Sequence, residues 1–186
     1  MTSEIAHLLA DDTTFQFSRY IVPSETNPDQ VLRIFAYGTI TDAFAQNFLP
    51  QLPPNAVKKL RLLTLVNIAS RQTEVPIAKL AQQLFPEVDC RQELQQQQTP
   101  VFLHGVSPAL DEQERAEQMM DAVEELIREA IQKGFLTGKI SHTRNALLVS
   151  AVHLARDVEK REIANLIRVL SKWRERCDET VGGLTD

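Results

Sequence analysis

The order of hydrophobic periods between Ala56 and His153 constrains this chain more than any other feature: three helical patterns in succession, then a hairpin pattern. Ala56 to Arg71 carries Leu62, Leu65, Val66 and Ala69 at i, i+3, i+4 and i+7, the spacing of a helix with one face committed to a core. Leu60, Leu63 and Ile68 add apolar groups on its other sides, so this helix is expected to be central and mostly buried. After a break at Gln72 to Val75, Pro76 opens a second helix with Ile77, Leu80, Ala81 and Leu84 at the same spacing, and Pro86 ends it. A third helix starts near Asp111 and runs through Met119, Val123, Leu126, Ile127 and Ala130 to Gly134, a good C-terminal stop. Phe135 to Ile140, the polar turn Ser141 to Asn145, and Ala146 to His153 then read as a β-hairpin whose second arm is rich in Leu and Val. Two helices joined by a tight turn, a third helix and a hairpin make up a winged-helix arrangement.

The flanks are helical too. Ser3 to Ala10 reads as a first helix closed by the turn at Asp11 to Thr14, and Phe15, Phe17 and Tyr20 follow in a short apolar segment. Asn27-Pro28-Asp29-Gln30 is a strong helix start, and that helix places Val31, Ile34 and Phe35 on one side before Gly38. A short helix from Asp42 to Leu49 ends against Pro50 and the Pro53-Pro54 pair. Glu87 to Leu110, with four consecutive glutamines and no sustained period, reads as an exposed and mobile insertion. Val158 to Val181 is a long amphipathic helix that Asp157 can cap, with Ile163, Leu166, Leu170, Trp173 and Cys177 in a heptad-like stripe. The expected architecture is therefore mainly α. A helical-repeat lead-in covers 1–54, a winged-helix subdomain with an insertion at 87–110 covers 55–157, and a long C-terminal helix covers 158–186.

Composition narrows the class of function. Of 186 residues 43% are apolar and 24% charged, an ordinary globular mixture, and the net charge is −5. An acidic chain is a poor partner for a phosphate backbone, whose neutralisation supplies most nucleic-acid affinity. No apolar run approaches the roughly 18–20 residues that span a bilayer, so no membrane partner is expected. Met1-Thr2-Ser3-Glu4 has no basic segment leading into an apolar one, so no secretory signal is expected, and Cys90 and Cys177 are read as free thiols.

Several stretches are similar to a known family. A winged helix preceded by short helical pairs and followed by a long helix resembles the PCI domain, a module of the proteasome lid, the COP-9 signalosome and the translation initiation factor three complex. Within that family, Leu32-Arg33-Ile34-Phe35-Ala36-Tyr37-Gly38-Thr39 resembles a phenylalanine-alanine-tyrosine-glycine-threonine segment of signalosome subunit seven. So do Lys59 to Leu65 with Ala69-Ser70 and Val75-Pro76, the Val123 to Ala130 helix, Ala155-Arg156-Asp157-Val158, and Trp173 with Cys177-Asp178-Glu179. Two departures stand out: the 87–110 insertion is long for the family, and Ala155 replaces an expected glycine. The family usually continues beyond the long helix into a tail that enters a helical bundle, so this ending is the one expected of a piece cut at that point. The resemblance implies a scaffold subunit without catalysis of its own, working in cytoplasm and nucleus. It implies as partners the other signalosome PCI subunits and the helical bundle of the complex, while another subunit removes Nedd8 from cullins. A PCI subunit of initiation factor three or of the proteasome lid, and a winged-helix nucleic-acid binder, are the alternatives.

The residues themselves point the same way. A hydrolytic zinc site needs paired histidines and carboxylates, and His7, His104, His142 and His153 contain no His-x-His pair, although His142 and His153 could meet across the hairpin. Cys177 lies on an apolar stripe, where a small buried thiol is the ordinary expectation, and Cys90 has no histidine near it in sequence. No catalytic residue, metal ligand or cofactor is therefore expected. The helix that would read DNA, Glu112 to Lys133, carries seven acids against three bases, which repels phosphate. Subunit contact is expected instead from Leu147, Leu148 and Val149, on an uncovered hairpin edge, and from Leu166, Leu170 and Trp173 on the last helix. For both the hairpin arm and Trp173, burial in this chain's own core is the competing expectation.

Overall fold

The computed structural model describes residues 3–11, 13–21, 27–86, 112–154 and 156–182, so the expected insertion at 87–110 lies outside the described residues. The helices among them are α1 (Ser3–Ala10), α2 (Asn27–Tyr37), α3 (Ile40–Ala45), α4 (Pro54–Ala69), α5 (Ile77–Leu84), α6 (Glu112–Gln132) and α7 (Lys160–Gly182). The strands are β1 (Glu74–Pro76), β2 (Leu136–Ser141) and β3 (Ala146–Val152). The chain divides into two compact units, Met1–Arg156 and Asp157–Asp186.

In the first unit, α4 separates two cores, which explains why its sequence is apolar on more than one side. Leu62, Leu65, Val66 and Ala69 face a cluster completed by Val75, Ile77, Leu80, Leu84, Val123, Ile127, Ala130, Leu136 and Leu147. Ala56, Leu60 and Leu63 face a second cluster built from Leu9, Phe17, Leu32, Phe35, Ile40 and Phe48. Phe15 and Leu154 touch both clusters. Burying apolar area on two faces at about 25 cal/mol per Å² makes α4 the element whose loss would open both cores.

The helix boundaries follow from local chemistry. Pro54 occupies the first turn of α4, where its missing N–H is not needed. Gly134 takes φ 70 behind α6, and Phe135 N–H reaches Ala130 C=O at 2.9 Å while Gly134 N–H reaches Ile131 C=O at 3.0 Å, a Schellman closure. Two helices start earlier than the sequence pattern suggested, α4 at Pro54 rather than Ala56 and α3 by two residues as well. Helix α3 begins at Ile40 rather than Asp42 because Thr39 is its N-cap. The Thr39 hydroxyl accepts from the Asp42 N–H, and Asp42 Oδ2 takes the Thr39 N–H at 2.7 Å, a capping box.

The stretch read as a break before the second helix contains a strand instead. Glu74, Val75 and Pro76 pair antiparallel with Leu148, Leu147 and Ala146, so the sheet has three strands in the order β1-β3-β2. Strand β2 pairs with the other side of β3, Ile140 opposite Leu147, with a bulge between Thr137 and Gly138. At Gly138 an added Cβ would lie 2.5 Å from the Leu148 carbonyl oxygen, so the close approach of the two strands requires glycine there. Asn145 closes the hairpin turn at φ 47, a left-handed position that asparagine tolerates.

The second unit is α7, 23 residues or about 35 Å long. It begins at Lys160, two residues later than the sequence pattern suggested.

Candidate interaction surfaces

The sheet overturns one expectation about its edge. The arm Leu147-Leu148-Val149 is not an uncovered edge: β3 is the central strand, bonded to β1 on one side and β2 on the other. Leu147 is fully buried in the first core cluster, and Leu148 and Val149 are half-buried. Leu147 therefore holds the sheet to the helices and presents no surface. Val149 N–H also bonds Thr73 C=O at 2.8 Å, which extends the β1 side of the pairing by one step. Among the described residues the long open edge belongs to β2, whose Thr137 and Lys139 side chains are exposed.

Helix α7 carries its apolar groups in the open. Leu166 is 45%, Leu170 67% and Trp173 62% exposed, with Ile163, Ile167 and Val181 exposed alongside. Trp173 thus does not bury in a core, and Cys177, expected as a buried thiol, is exposed and free. Positions 163, 166, 170, 173 and 177 recur at alternating steps of three and four, and Ile167 and Val169 widen the band. A band wider than a two-helix seam suits packing against more than one helix.

Two cations hold the first unit together. Arg156, at the last position of that unit, donates to the carbonyls of Gly38 (2.9 Å), Phe35 (2.9 Å) and Ala36 (3.2 Å). These are carbonyls left over at the end of α2, where a positive charge also meets the negative end of the helix dipole. Lys59 is only 3% exposed. Its ammonium lies 5.3 Å from the Phe15 ring centre and 5.2 Å from that of Phe17, and bonds the Asp11 carbonyl, fastening the segment after α1 over α4. Neither role was visible in sequence spacing, since both bridge residues more than forty positions apart.

The residues weighed for chemistry are not brought together. His142 stands beside Glu124 at 3.7 Å, while His153 Nε2 meets Thr137 Oγ1 at 2.8 Å. Ser141 pairs with Ala146 and Leu136 with Val152, so the two histidines occupy opposite ends of the hairpin. Among the described residues no three His, Cys, Asp or Glu side chains gather as a metal site. Cys90 and His104 lie outside the described residues.

Arg128 of α6 and Lys133 just behind it are engaged by acids of that helix. Arg128 pairs with Glu124 at 3.0 Å and Lys133 with Glu129 at 3.0 Å, while Lys58 of α4 adds a bond to Glu129 at 2.8 Å. Partial burial opposes ionisation of Glu129, yet the two ammonium groups hold its carboxyl below the ordinary range. This is a face without surplus positive charge.

Two grooves indent the first unit. One, of about 120 Å³, is lined by Phe15, Asn55, Lys58, Lys59, Leu62, Glu129 and Lys133. The other, of about 230 Å³, lies between α3, α4 and α5 and includes Thr39, Thr41, Asn67, Arg71, Lys79 and Gln83 in its lining.

No protein-family model matches the chain. It is similar to COP9 signalosome complex subunit 7a of Pongo abelii, 24% identical over 158 residues that cover 84% of this chain and 46% of that protein. It is similar to COP9 signalosome complex subunit 7a of Neurospora crassa, 28% identical over 168 residues covering 89% and 36%. It is also similar to COP9 signalosome complex subunit 7 of Dictyostelium discoideum, 26% identical over 144 residues covering 77% and 43%. The chain spans less than half the length of these curated relatives. The resemblance to signalosome subunit seven is thus present along most of the chain.

Proposed function

We propose that this chain is a joining subunit of a COP9 signalosome, supplying surface rather than chemistry, so that another subunit can remove Nedd8 from cullin ligases in cytoplasm and nucleus. The observation that carries the reading is the similarity to subunit-seven proteins over 77–89% of the chain in relatives as distant as an ape, a mould and an amoeba. The order α4, β1, α5, α6, β2, β3 supports a winged helix, and α1 to α3 support the helical lead-in of a PCI module. In this reading the open edge of β2 lies beside the sheet of a neighbouring PCI subunit and adds a strand to it. The α7 band, with Leu166, Leu170 and Trp173 at its centre, enters a bundle with helices of other subunits. The acidic, internally paired face of α6 argues against nucleic acid.

Affinity purification of the tagged chain from cells, followed by mass spectrometry, tests both the reading and the division of labour. Signalosome subunits should co-purify. Replacing Leu166, Leu170 and Trp173 together by glutamate should remove the partners held through the bundle and spare those held through the sheet. Recovery of initiation factor three or proteasome-lid subunits in place of signalosome subunits would overturn the assignment. An unchanged partner set in the triple variant would remove α7 from the mechanism.

A further inference from the structure

The two grooves differ in whether a carboxylate lines them. In the first, Glu129 pairs with both Lys58 and Lys133. In the second, no carboxylate lines the wall, although the chain carries 25 acids against 20 bases. Among the described residues Lys79 Nζ bonds only the neutral Gln72 Oε1, at 3.3 Å, and Arg71 meets no acid. Asp42, next to this wall, spends Oδ2 on the Thr39 N–H and hydroxyl. Arg71 and Lys79, neither paired with an acid among the described residues, therefore share one concave surface with the amides of Asn67, Gln72 and Gln83, while the Thr39 and Thr41 hydroxyls bond each other. Concavity concentrates such a field, and charged donors give the strongest hydrogen bonds to oxyanions.

The lining also selects among anions. It contains no aromatic side chain to stack a base and no glycine loop to cradle a chain of phosphates. A single phosphoryl ester, with a charge of about −1.5 to −2 and three acceptor oxygens, matches two cations and the surrounding donors. The three amides can serve peptide groups on either side of it. We propose that the groove between α3, α4 and α5 binds a phosphorylated serine or threonine of a partner polypeptide, with Arg71 and Lys79 contacting the phosphoryl oxygens. The inference does not depend on which complex the chain joins.

The test is an amide chemical-shift titration of the whole 15N-labelled chain with a five-residue peptide holding phosphoserine between glycine pairs. The unphosphorylated peptide, inorganic phosphate and sulfate are run beside it. Saturable shifts confined to 39–41, 67–72 and 79–83, tighter for the phosphopeptide than for inorganic phosphate, are the expected result. Arg71→Gln and Lys79→Gln should each weaken binding about tenfold. Arg71 is exposed, so Arg71→Glu serves as a second variant that leaves the core intact and should abolish binding. Equal affinity for inorganic phosphate or sulfate, or binding that survives Arg71→Glu, would overturn the proposal.

Discussion

Thr64 offers the sharpest test of how the lead-in is fastened to α4. Its side chain, 1% exposed, accepts a hydrogen bond from Ile40 N–H at 3.0 Å and donates one to Leu60 C=O at 2.8 Å. Ile40 is the first residue of α3, so its N–H is among those that the helix cannot satisfy internally. Thr64→Val keeps the shape but replaces the hydroxyl with a methyl. The Leu60 carbonyl keeps its place in the α4 ladder, whereas the Ile40 N–H is left buried without an acceptor, a loss of about 1–3 kcal/mol. The added methyl offsets part of this, leaving a net destabilisation of about 1–2 kcal/mol. For a unit of this size that lowers the melting temperature by about 2–8 °C. Thr64→Ser keeps both hydrogen bonds and loses one methyl, about 1 kcal/mol. Urea denaturation followed by circular dichroism gives the free energies, and amide hydrogen exchange separates the causes. Ile40 N–H protection should fall in Thr64→Val and persist in Thr64→Ser. A valine variant as stable as the parent, with Ile40 N–H still protected, would refute the reasoning.

Two further outcomes follow from positions already described. Gly138→Ala puts a carbon 2.5 Å from the Leu148 backbone oxygen, where no flexible side chain can yield, so it should destabilise by about 1–3 kcal/mol in thermal melts and disturb the β2–β3 amides. Asp11 has its carboxyl lowered to about 2, first by the Thr14 hydroxyl and then by the N–H and hydroxyl of Thr13. A lowered folded pKa means that this contribution is fully present above the ordinary value of 3.8 and is lost as pH falls towards about 2. Proton-coupled NMR titration of Asp11 should show the low midpoint, and Asp11→Ala should flatten the corresponding part of the acid-denaturation curve.

Local signals carried most of the fold. The spacing of Leu62, Leu65, Val66 and Ala69 placed α4, and its extra apolar residues marked it as central, because a helix between two cores has little polar face to show. Helix α3 was misplaced although its Thr-x-x-Asp box was readable, because Asp42 can itself act as a cap residue. Strand β1 was missed for a different reason. Three residues ending in proline carry no period, and their partners Leu148, Leu147 and Ala146 lie some seventy positions away. That omission moved the open edge onto the wrong strand, since a hairpin read alone has two edges and the second arm was the more apolar. Arg156 and Lys59 were invisible as fasteners because their acceptors, Phe35, Ala36, Gly38 and Asp11, are adjacent only after folding. The groove cations Arg71 and Lys79 carry no local signal either: isolated bases in sequence look alike whether or not an acid ends up opposite them.

Arg156 has a mechanical consequence. The residue that follows it begins the second unit, so tension pulled along the backbone from α7 arrives first at a guanidinium anchored to three carbonyls of 35–38. Those bonds tie the last residue of the first unit to the end of α2, more than a hundred positions earlier in the sequence. A chain leaving the sheet is thus fastened a second time, on α2, before the terminal helix begins.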